Sequence, residues 1–254
     1  MAQKNWTREQ TIVALSTYFN IPFNKANNSN VEIQKTAKII GRSINSVKMK
    51  IGNFGSLDPE LKKRGIVGLT GASTLDKEIW KEYSIDKEKL AFDSTSLIAK
   101  FSDKPIEEII EIPETDLPLG LEKLQEVKVR INQYFFRKNI LGIYDNKCCI
   151  TSLSIPQLLV ASHIVPWSKD KTNRMNPENG LCLNAIHDKA FDNGLITITK
   201  DYCVKLSSAL NDYHLDKFAA KFFKSFENKK INLPERYFPN SDFLDYHNEH
   251  IFKK

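Results

Sequence analysis

The spacing of apolar residues predicts helices in the first third of the chain. A capping box of Thr7 and Gln10 precedes apolar positions that recur every three or four residues, so a helix is expected to begin there. These positions are Ile12, Leu15 and Phe19. Ser29 and Glu32 repeat the capping pattern. Gly41 stands where the second helix would end, because a left-handed residue commonly closes a helix.

A third helix is predicted to begin near Ser43, with Ile44, Val47 and Ile51 facing inward. Two helices joined by so short a turn are typical of a helix-turn-helix motif, whose second helix enters the major groove of DNA. Asn can read adenine there, and Lys or Arg can read guanine or bind phosphate. The candidate DNA-binding residues, with Lys48 and Lys50 expected on outer faces, are Arg42, Asn45, Ser46, Lys48 and Lys50. The alternative is an ordinary pair of packed helices with a solvated polar face.

The middle of the chain differs from its flanks in composition. Acidic residues alternate with Pro105, Pro113 and Pro118, a pattern typical of an interdomain linker. We therefore expect a helical DNA-recognition domain at 1–92, an acidic linker at 93–120 and a second domain at 121–254. The second domain is expected to open with a long helix.

Two histidines follow short apolar segments in the second domain. A strand is predicted over 158–162, with His163 where it ends, and a second strand over 180–184. The second strand leads directly into a helix over 185–192 that contains His187. Two strands followed by a helix would bring both histidines together, and the fold class predicted for the whole chain is α+β.

These segments resemble the HNH, or ββα-metal, endonucleases, most closely a restriction-type branch with a His-x-x-Pro-Trp signature. The matching pieces are residues 132–152, LLVASHIVPW at 158–167, NPENGL at 176–181, HDKAFDNGLI at 187–196 and FLDYHNEHIF at 243–252. The N-terminal segment resembles a helical module that precedes such nuclease domains. The resemblance implies a domain that hydrolyses phosphodiester bonds with a divalent cation.

Carried over residue by residue, the resemblance implies His163 as general base, Asn179 as the residue that orients the active-site loop, and His187 as the metal-binding third position. Histidine suits a base because its pKa lies near neutrality. Asp192 is a further candidate metal ligand, with capping of a turn as the alternative. Many relatives carry Asp or His directly before the base as a ligand, whereas Ser162 occupies that position here and is a further candidate metal ligand.

Many relatives brace this domain with zinc held by two CxxC pairs. Here Ser152 stands three residues after Cys149, and Ala185 stands three residues after Cys182, so a four-cysteine site cannot form. We expect no structural zinc, and reduced thiols at Cys148 and its neighbour. Apolar packing is expected to replace the metal, through Phe135, Phe136, Leu159, Leu181 and Phe191.

Composition adds a preference for a polyanionic partner. The net charge is +6 and the isoelectric point is near 9.0, and basic groups gain free energy by releasing counterions from phosphates. Arg174, in the loop between the strands, is a candidate phosphate ligand, although it could equally be a solvated side chain. No segment is long and apolar enough to suggest a membrane span or a secretory signal, so we expect a cytoplasmic protein.

Together these patterns predict a restriction-type endonuclease that depends on Mg²⁺ or Mn²⁺ and acts on double-stranded DNA. A homodimer is expected because duplex target sites are commonly two-fold symmetric. One alternative is a modification-dependent nuclease that cuts only methylated DNA. Another is a DNA-binding regulator whose nuclease fold has lost activity, which Ser162 would favour.

Overall fold

The computed structural model describes residues 5–111, 121–212 and 217–254. The chain divides into two compact units, unit 1 (Met1–Asn139) and unit 2 (Ile140–Lys254). The helices are α1 Arg8–Phe19, α2 Val31–Ile39, α3 Ile44–Gly55, α4 Pro59–Lys63, α5 Thr74–Tyr83, α6 Lys87–Ser102, α7 Ile106–Ile109, α8 Leu121–Ile143, α9 Ala185–Asp192, α10 Lys217–Phe223 and α11 Ser241–His250. The strands are β1 Leu159–His163, β2 Gly180–Asn184, β3 Ile196–Ile198 and β4 Val204–Leu206. Helices with small sheets confirm the α+β class.

Helix α1 is the centre of unit 1. Its predicted capping box is confirmed, because the Thr7 side chain accepts from Gln10 N and the Gln10 side chain accepts from Thr7 N. Residues on every side of α1 are buried, so α1 is surrounded rather than amphipathic. It packs against α2, α3, α5 and α6. The α1 core positions Ile12, Leu15 and Phe19 are buried as predicted.

The start of α2 differs from the prediction. Its N-cap is Asn30, whose side-chain oxygen accepts from the backbone N–H of Glu32 and of Ile33. The predicted cap, Ser29, is wrong because its hydroxyl bonds Asn27 Oδ1 instead, at 2.6 Å. The predicted end at Gly41 is confirmed, since Gly41 has φ +65°.

Helix α3 begins at its predicted cap, since the Ser43 side chain accepts from Ser46 N. Val47 and Ile51 are fully buried as predicted, whereas Ile44 is 37% exposed. The expectation that Lys50 lies on an outer face is also wrong, because only 5% of Lys50 is exposed and its Nζ lies 2.5 Å from Asp76 Oδ1. Helical pitch puts position 50 on the same face as positions 47, 51 and 54, so α5 covers it.

Two glycines of α3 allow the loop after α4, at Leu69, and the segment before α2, at Phe23, to pack closely against the helix. A Cβ on Gly52 would lie 2.6 Å from Leu69 Cδ1, and a Cβ on Gly55 would lie 2.3 Å from Phe23 Cε2. The loop is tied down by a hydrogen bond of 2.9 Å from Leu69 N to Gly52 O. Gly68 approaches even closer, because its Cβ would lie 2.1 Å from Ser56 N.

The segment predicted as a linker, 93–120, begins inside α6, which packs against α1. Its first ten residues, 93–102, are therefore helical and belong to unit 1. The short helix α7 follows and packs against α6. Residues 112–120, with Pro113 and Pro118, lie outside the described residues, and the linker itself stays a prediction.

In unit 2, β1 and β2 form an antiparallel pair that runs from Leu159 opposite Asn184 to His163 opposite Gly180. The predicted bounds of β2 and α9 are confirmed, and β1 starts one residue later than predicted. Helix α9 packs against β1, β2 and β3, and α11 packs against β3. In a second hairpin, β3 pairs with β4 in antiparallel register.

The core of unit 2 contains three of the five apolar residues expected to replace zinc. Leu159, Leu181 and Phe191 are each at most 1% exposed. Phe135 and Phe136 are buried as well but belong to unit 1. Cys148, Cys149, Cys182 and Cys203 form no disulfide, and the first three are buried. In the described part of the chain, no helix is long and apolar enough to cross a membrane.

Substitution of Gly68 by Ala is predicted to destabilise unit 1. Its Cβ would meet backbone atoms, Ser56 N at 2.1 Å and Gly55 C at 2.4 Å, which cannot rotate away. Overpacking of this kind costs about 1–3 kcal/mol of unfolding free energy. Thermal denaturation should show a lower Tm for Gly68→Ala. The matched control, Gly71→Ala, places its Cβ 3.5 Å from the nearest atom and should melt like the parent. Equal melting of all three proteins would contradict this packing.

Candidate active site

A cavity of about 450 Å³ opens on unit 2 between the end of β1, the loop that follows it, α9 and α11. Its polar and aromatic lining consists of Ser162, His163, Trp167, Asp188, Asp192 and His247. Three of the sequence-predicted site residues, Ser162, His163 and Asp192, therefore line this cavity.

The ring of His163 is oriented by a backbone carbonyl. Its Nε2 lies 3.0 Å from the carbonyl oxygen of Arg174. A carbonyl can only accept, so Nε2 donates its proton and the lone pair of the neutral ring is on Nδ1. Burial lowers the pKa of His163, and the nearby Arg174 charge lowers it further, against an opposing contribution from the hydrogen bond. The ring is therefore neutral at physiological pH, as a proton acceptor must be.

Asn179 holds the loop between β1 and β2 from inside. Its Oδ1 accepts from Val165 N at 2.8 Å, and its Nδ2 donates to Val165 O at 3.2 Å and to Asn173 O at 3.4 Å. The backbone of Asn179 adds a fourth contact, from Ile164 N to its carbonyl at 3.0 Å. One buried amide thus fixes the backbone directly after His163 to the far side of the loop.

Trp167 and Arg174 form a rim beside His163. Arg174 Nε donates to the Trp167 carbonyl at 2.8 Å, and its guanidinium carbon lies 5.1 Å from the indole centroid. The Trp167 ring meets the His163 ring edge to face at 5.3 Å. Trp167 is partly exposed on the cavity wall.

Two carboxylates from α9 face the cavity. Asp188 and Asp192 are four residues apart, and therefore on one face of the helix. Desolvation raises the pKa of both, and the charge of Asp188 raises that of Asp192 further. The Ser162 hydroxyl is buried and makes no hydrogen bond of ordinary geometry with the described residues, although it lies close enough to Asp188 to lower its pKa.

His187 has different surroundings from those that its implied role requires. It is 1% exposed, with Nδ1 2.8 Å from Asn184 Nδ2 and Nε2 3.2 Å from the Phe222 carbonyl. Its ring stacks on Phe222 with centroids 4.5 Å apart, and burial lowers its pKa to about 4. Both nitrogens are occupied within the protein. His187 is absent from the cavity wall formed by the described residues.

Asp188, the residue after His187, was missed by sequence reasoning. The resemblance implied a role for His187, but helical pitch turns the side chain of Asp188 toward β1 and the cavity. The spacing Asp-x-x-x-Asp was the available signal, since residues at i and i+4 share a helix face. The structure thus brings together His163, Ser162, Asp188 and Asp192.

The candidate DNA-binding residues of unit 1 have unequal surroundings. Asn45 is exposed, while Ser46 and Lys48 are partly exposed on α3. Arg42 Nη2 donates to Gln10 Oε1 at 2.8 Å, and Lys50 is paired with Asp76. A helix-turn-helix function for α2 and α3 remains a prediction.

Residues 148–199 match a family model, HNH_2, described as HNH endonuclease. This match supports an HNH endonuclease domain in this part of the chain. The matched interval contains β1, the Asn179 loop, β2 and α9, and with them His163, Asp188 and Asp192. The HNH domain indicates a nuclease that acts on DNA. A search of curated proteins finds no match to the chain.

HNH nucleases generally use a divalent metal, so the donor set must suit one. Among the described residues, no group of three or more His, Cys, Asp or Glu side chains could hold a metal ion. Mg²⁺ does not require such a group, because it is commonly held by one or two carboxylates together with water and substrate phosphate oxygens. The two carboxylates and the Ser162 hydroxyl are hard oxygen donors of this kind.

His247 makes a testable contribution to acid stability. Its ring is buried against Phe191 with centroids 3.6 Å apart, and burial lowers its pKa from 6.5 to about 4. Between these pH values the unfolded ring binds a proton and the folded ring does not. The free energy of unfolding should therefore fall as pH drops through this window.

His247→Gln should flatten that fall in urea denaturation series measured across the window. His250→Gln, at an exposed position on the same helix, should keep the parental slope. If the unfolding free energy of the His247 variant had the same pH dependence as that of the parent, the burial of His247 would not be the cause of that dependence.

Proposed function

We propose that the protein is a divalent-metal-dependent endonuclease of restriction type that hydrolyses phosphodiester bonds in duplex DNA. The observation that carries the proposal is the shared cavity of the HNH domain, where His163 faces the two α9 carboxylates. A neutral histidine and paired acids provide the two functions that hydrolysis needs, a proton acceptor and a cation site.

His163 is the general base in this proposal. With Nε2 bonded to the Arg174 carbonyl, its Nδ1 lone pair accepts a proton from the water that attacks phosphorus. Burial lowers the pKa of His163, so the ring is unprotonated at neutral pH. Asn179 is a positioning residue, because its contacts to Val165 and Asn173 hold the loop that supplies the Arg174 carbonyl.

Asp188 and Asp192 would hold the cation, Mg²⁺ or Mn²⁺, with Ser162 as a neutral oxygen donor. A bound divalent cation supplies charge stabilisation at the scissile phosphate and the leaving oxygen. The two carboxylates would also be relieved of the mutual repulsion that raises the pKa of Asp192. Asp188 thus takes the role that the resemblance implied for His187.

DNA contacts are proposed on both units. In the HNH domain, the guanidinium of Arg174 lies at the rim beside His163, where a phosphate flanking the scissile bond would pass. In unit 1 the proposed contacts are Arg42, Asn45, Ser46 and Lys48. The net charge of +6 favours such a partner. A homodimer would cut both strands of a symmetric site.

Cleavage assays on plasmid DNA with Mg²⁺ or Mn²⁺ test the proposed roles. His163→Ala should lower the rate by roughly 10²–10⁴, the usual contribution of a general base, without loss of Mn²⁺ binding in calorimetry. Asp188→Asn and Asp192→Asn should weaken both cleavage and Mn²⁺ binding. Asp201→Asn, an exposed acid outside the cavity, is the matched control and should behave like the parent.

The nuclease proposal fails if the parent protein leaves both methylated and methyl-free DNA intact with either metal. A protein that still bound duplex DNA under those conditions would instead be the regulator that Ser162 favours. Cutting of methylated DNA alone would establish a modification-dependent enzyme.

Substitution of His187 distinguishes a structural role of this residue from a role in metal binding. His187→Ala leaves the Phe222 carbonyl and the Asn184 amide without their ring partner and should lower stability by about 1–3 kcal/mol. At a temperature where the variant is folded, its Mn²⁺ affinity should equal that of the parent. Loss of Mn²⁺ affinity with unchanged thermal stability would return the ligand role to His187.

A further inference from the structure

Unit 1 carries a second cavity, of about 340 Å³, that the nuclease mechanism does not use. It lies between the segment before α1, the first turns of α3 and the start of α5. The side chains that matter to the argument are Trp6, Asn45, Met49, Lys50, Asn53 and Asp76. Its volume is within the range of pockets that enclose small planar ligands.

The charges on the wall of this cavity cancel. Lys50 Nζ lies 2.5 Å from Asp76 Oδ1, and both residues are buried. The second oxygen of Asp76 accepts from Ser73 N at 3.0 Å and faces Asn53 Nδ2 at 3.5 Å. A phosphate in this cavity would lie near the buried Asp76 carboxylate, and the Lys50 ammonium is already paired with that carboxylate. The interior therefore favours a neutral ligand that can form hydrogen bonds.

The remaining walls combine flat apolar surface with amide edges. The indole of Trp6 and the thioether of Met49, which is 46% exposed, supply the apolar surface. Asn45 is exposed at the mouth and Asn53 lies deeper, so donors and acceptors are available at two depths. Two cations lie close to the Trp6 ring, with Lys50 Nζ 4.6 Å and Arg42 Cζ 5.0 Å from its centroid.

A nucleobase has this complementary chemistry, with a neutral π face and an edge of donors and acceptors. Asn45 and Met49 are on α3, the helix predicted to read the major groove. Groove reading needs a convex face that reaches base edges, whereas these side chains form the wall of a hollow. A base must leave the duplex stack to enter such a hollow.

We propose that this cavity receives a single nucleobase rotated out of duplex DNA, so that unit 1 recognises a base by enclosure. The proposal rests on the proposed function only in taking DNA as the partner. Such enclosure suits a target that is distinguished by one base, including a base that carries a methyl group.

The test measures binding of the full-length protein by fluorescence anisotropy in EDTA, where cleavage cannot occur. The probes are a fully paired duplex and five matched duplexes that place A, C, G, T or 5-methylcytosine opposite an abasic site. Because an unpaired base leaves the stack at lower cost, at least one such duplex should bind about tenfold more tightly than the paired duplex.

Two cavity variants should remove that preference without changing the net charge. Met49→Trp fills the hollow from an exposed position, and Asn45→Ala removes an amide at its mouth. Met49→Ala leaves the hollow open. This variant should retain at least half of the logarithm of the affinity ratio between the unpaired-base duplex and the fully paired duplex. Asn28→Ala, at an exposed site away from the cavity, is the control for Asn45.

Equal affinity of the parent for all six duplexes would overturn the proposal, as would a preference that survives Met49→Trp. An Asn45→Ala variant that weakens paired and unpaired duplexes equally would favour groove reading and also overturn it. Circular dichroism of each variant shows whether it is folded. Since no cleavage is measured, an inactive HNH domain would leave these outcomes unchanged. The nuclease assays therefore test the proposed function independently of this binding experiment.

Discussion

The pairing of β1 with β2 determines where the groups of the HNH cavity lie. At one end of this five-residue ladder His163 is opposite Gly180, directly after Asn179. At the other end Leu159 is opposite Asn184, whose side chain caps α9 and bonds His187. The same ladder thus places His163 beside Asn179 and sets the direction of the helix that carries Asp188 and Asp192. A slip of one residue would turn every β1 side chain to the opposite face.

Histidines of unit 2 show how surroundings, rather than residue type, assign chemistry. His187 and His247 are both buried, stacked on a phenylalanine and hydrogen-bonded to a backbone carbonyl. Burial lowers the pKa of each to about 4, so both remain uncharged and serve as polar parts of the core. His163 also bonds a carbonyl, but it is only partly buried and lies beside the two α9 acids on the cavity wall. Its exposure to the cavity, rather than its residue type, is what suits it to the proposed role of proton acceptor.

Features that depend on neighbours in sequence could be predicted, and features that depend on neighbours in space could not. The capping box of α1, the bounds of β2 and the length of α9 follow from local hydrogen bonds and periodicity. Lys50 was misplaced because its buried partner, Asp76, is on a different helix. Likewise, the family resemblance located the α9 segment correctly, but the choice between His187 and Asp188 required the direction in which each side chain leaves the helix.

Helix α11 closes the nuclease cavity from a distant part of the sequence. It contributes His247 to the cavity wall, and Ile251, the residue after α11, also lines the wall. The Ile251 carbonyl lies so near Gly194 that a Cβ there would be 2.1 Å away, and Lys253 N donates to the Gly194 carbonyl at 3.0 Å. During translation His163, Asp188 and Asp192 therefore emerge before the helix that encloses them. A nascent chain can complete this cavity only after α11 has been synthesised.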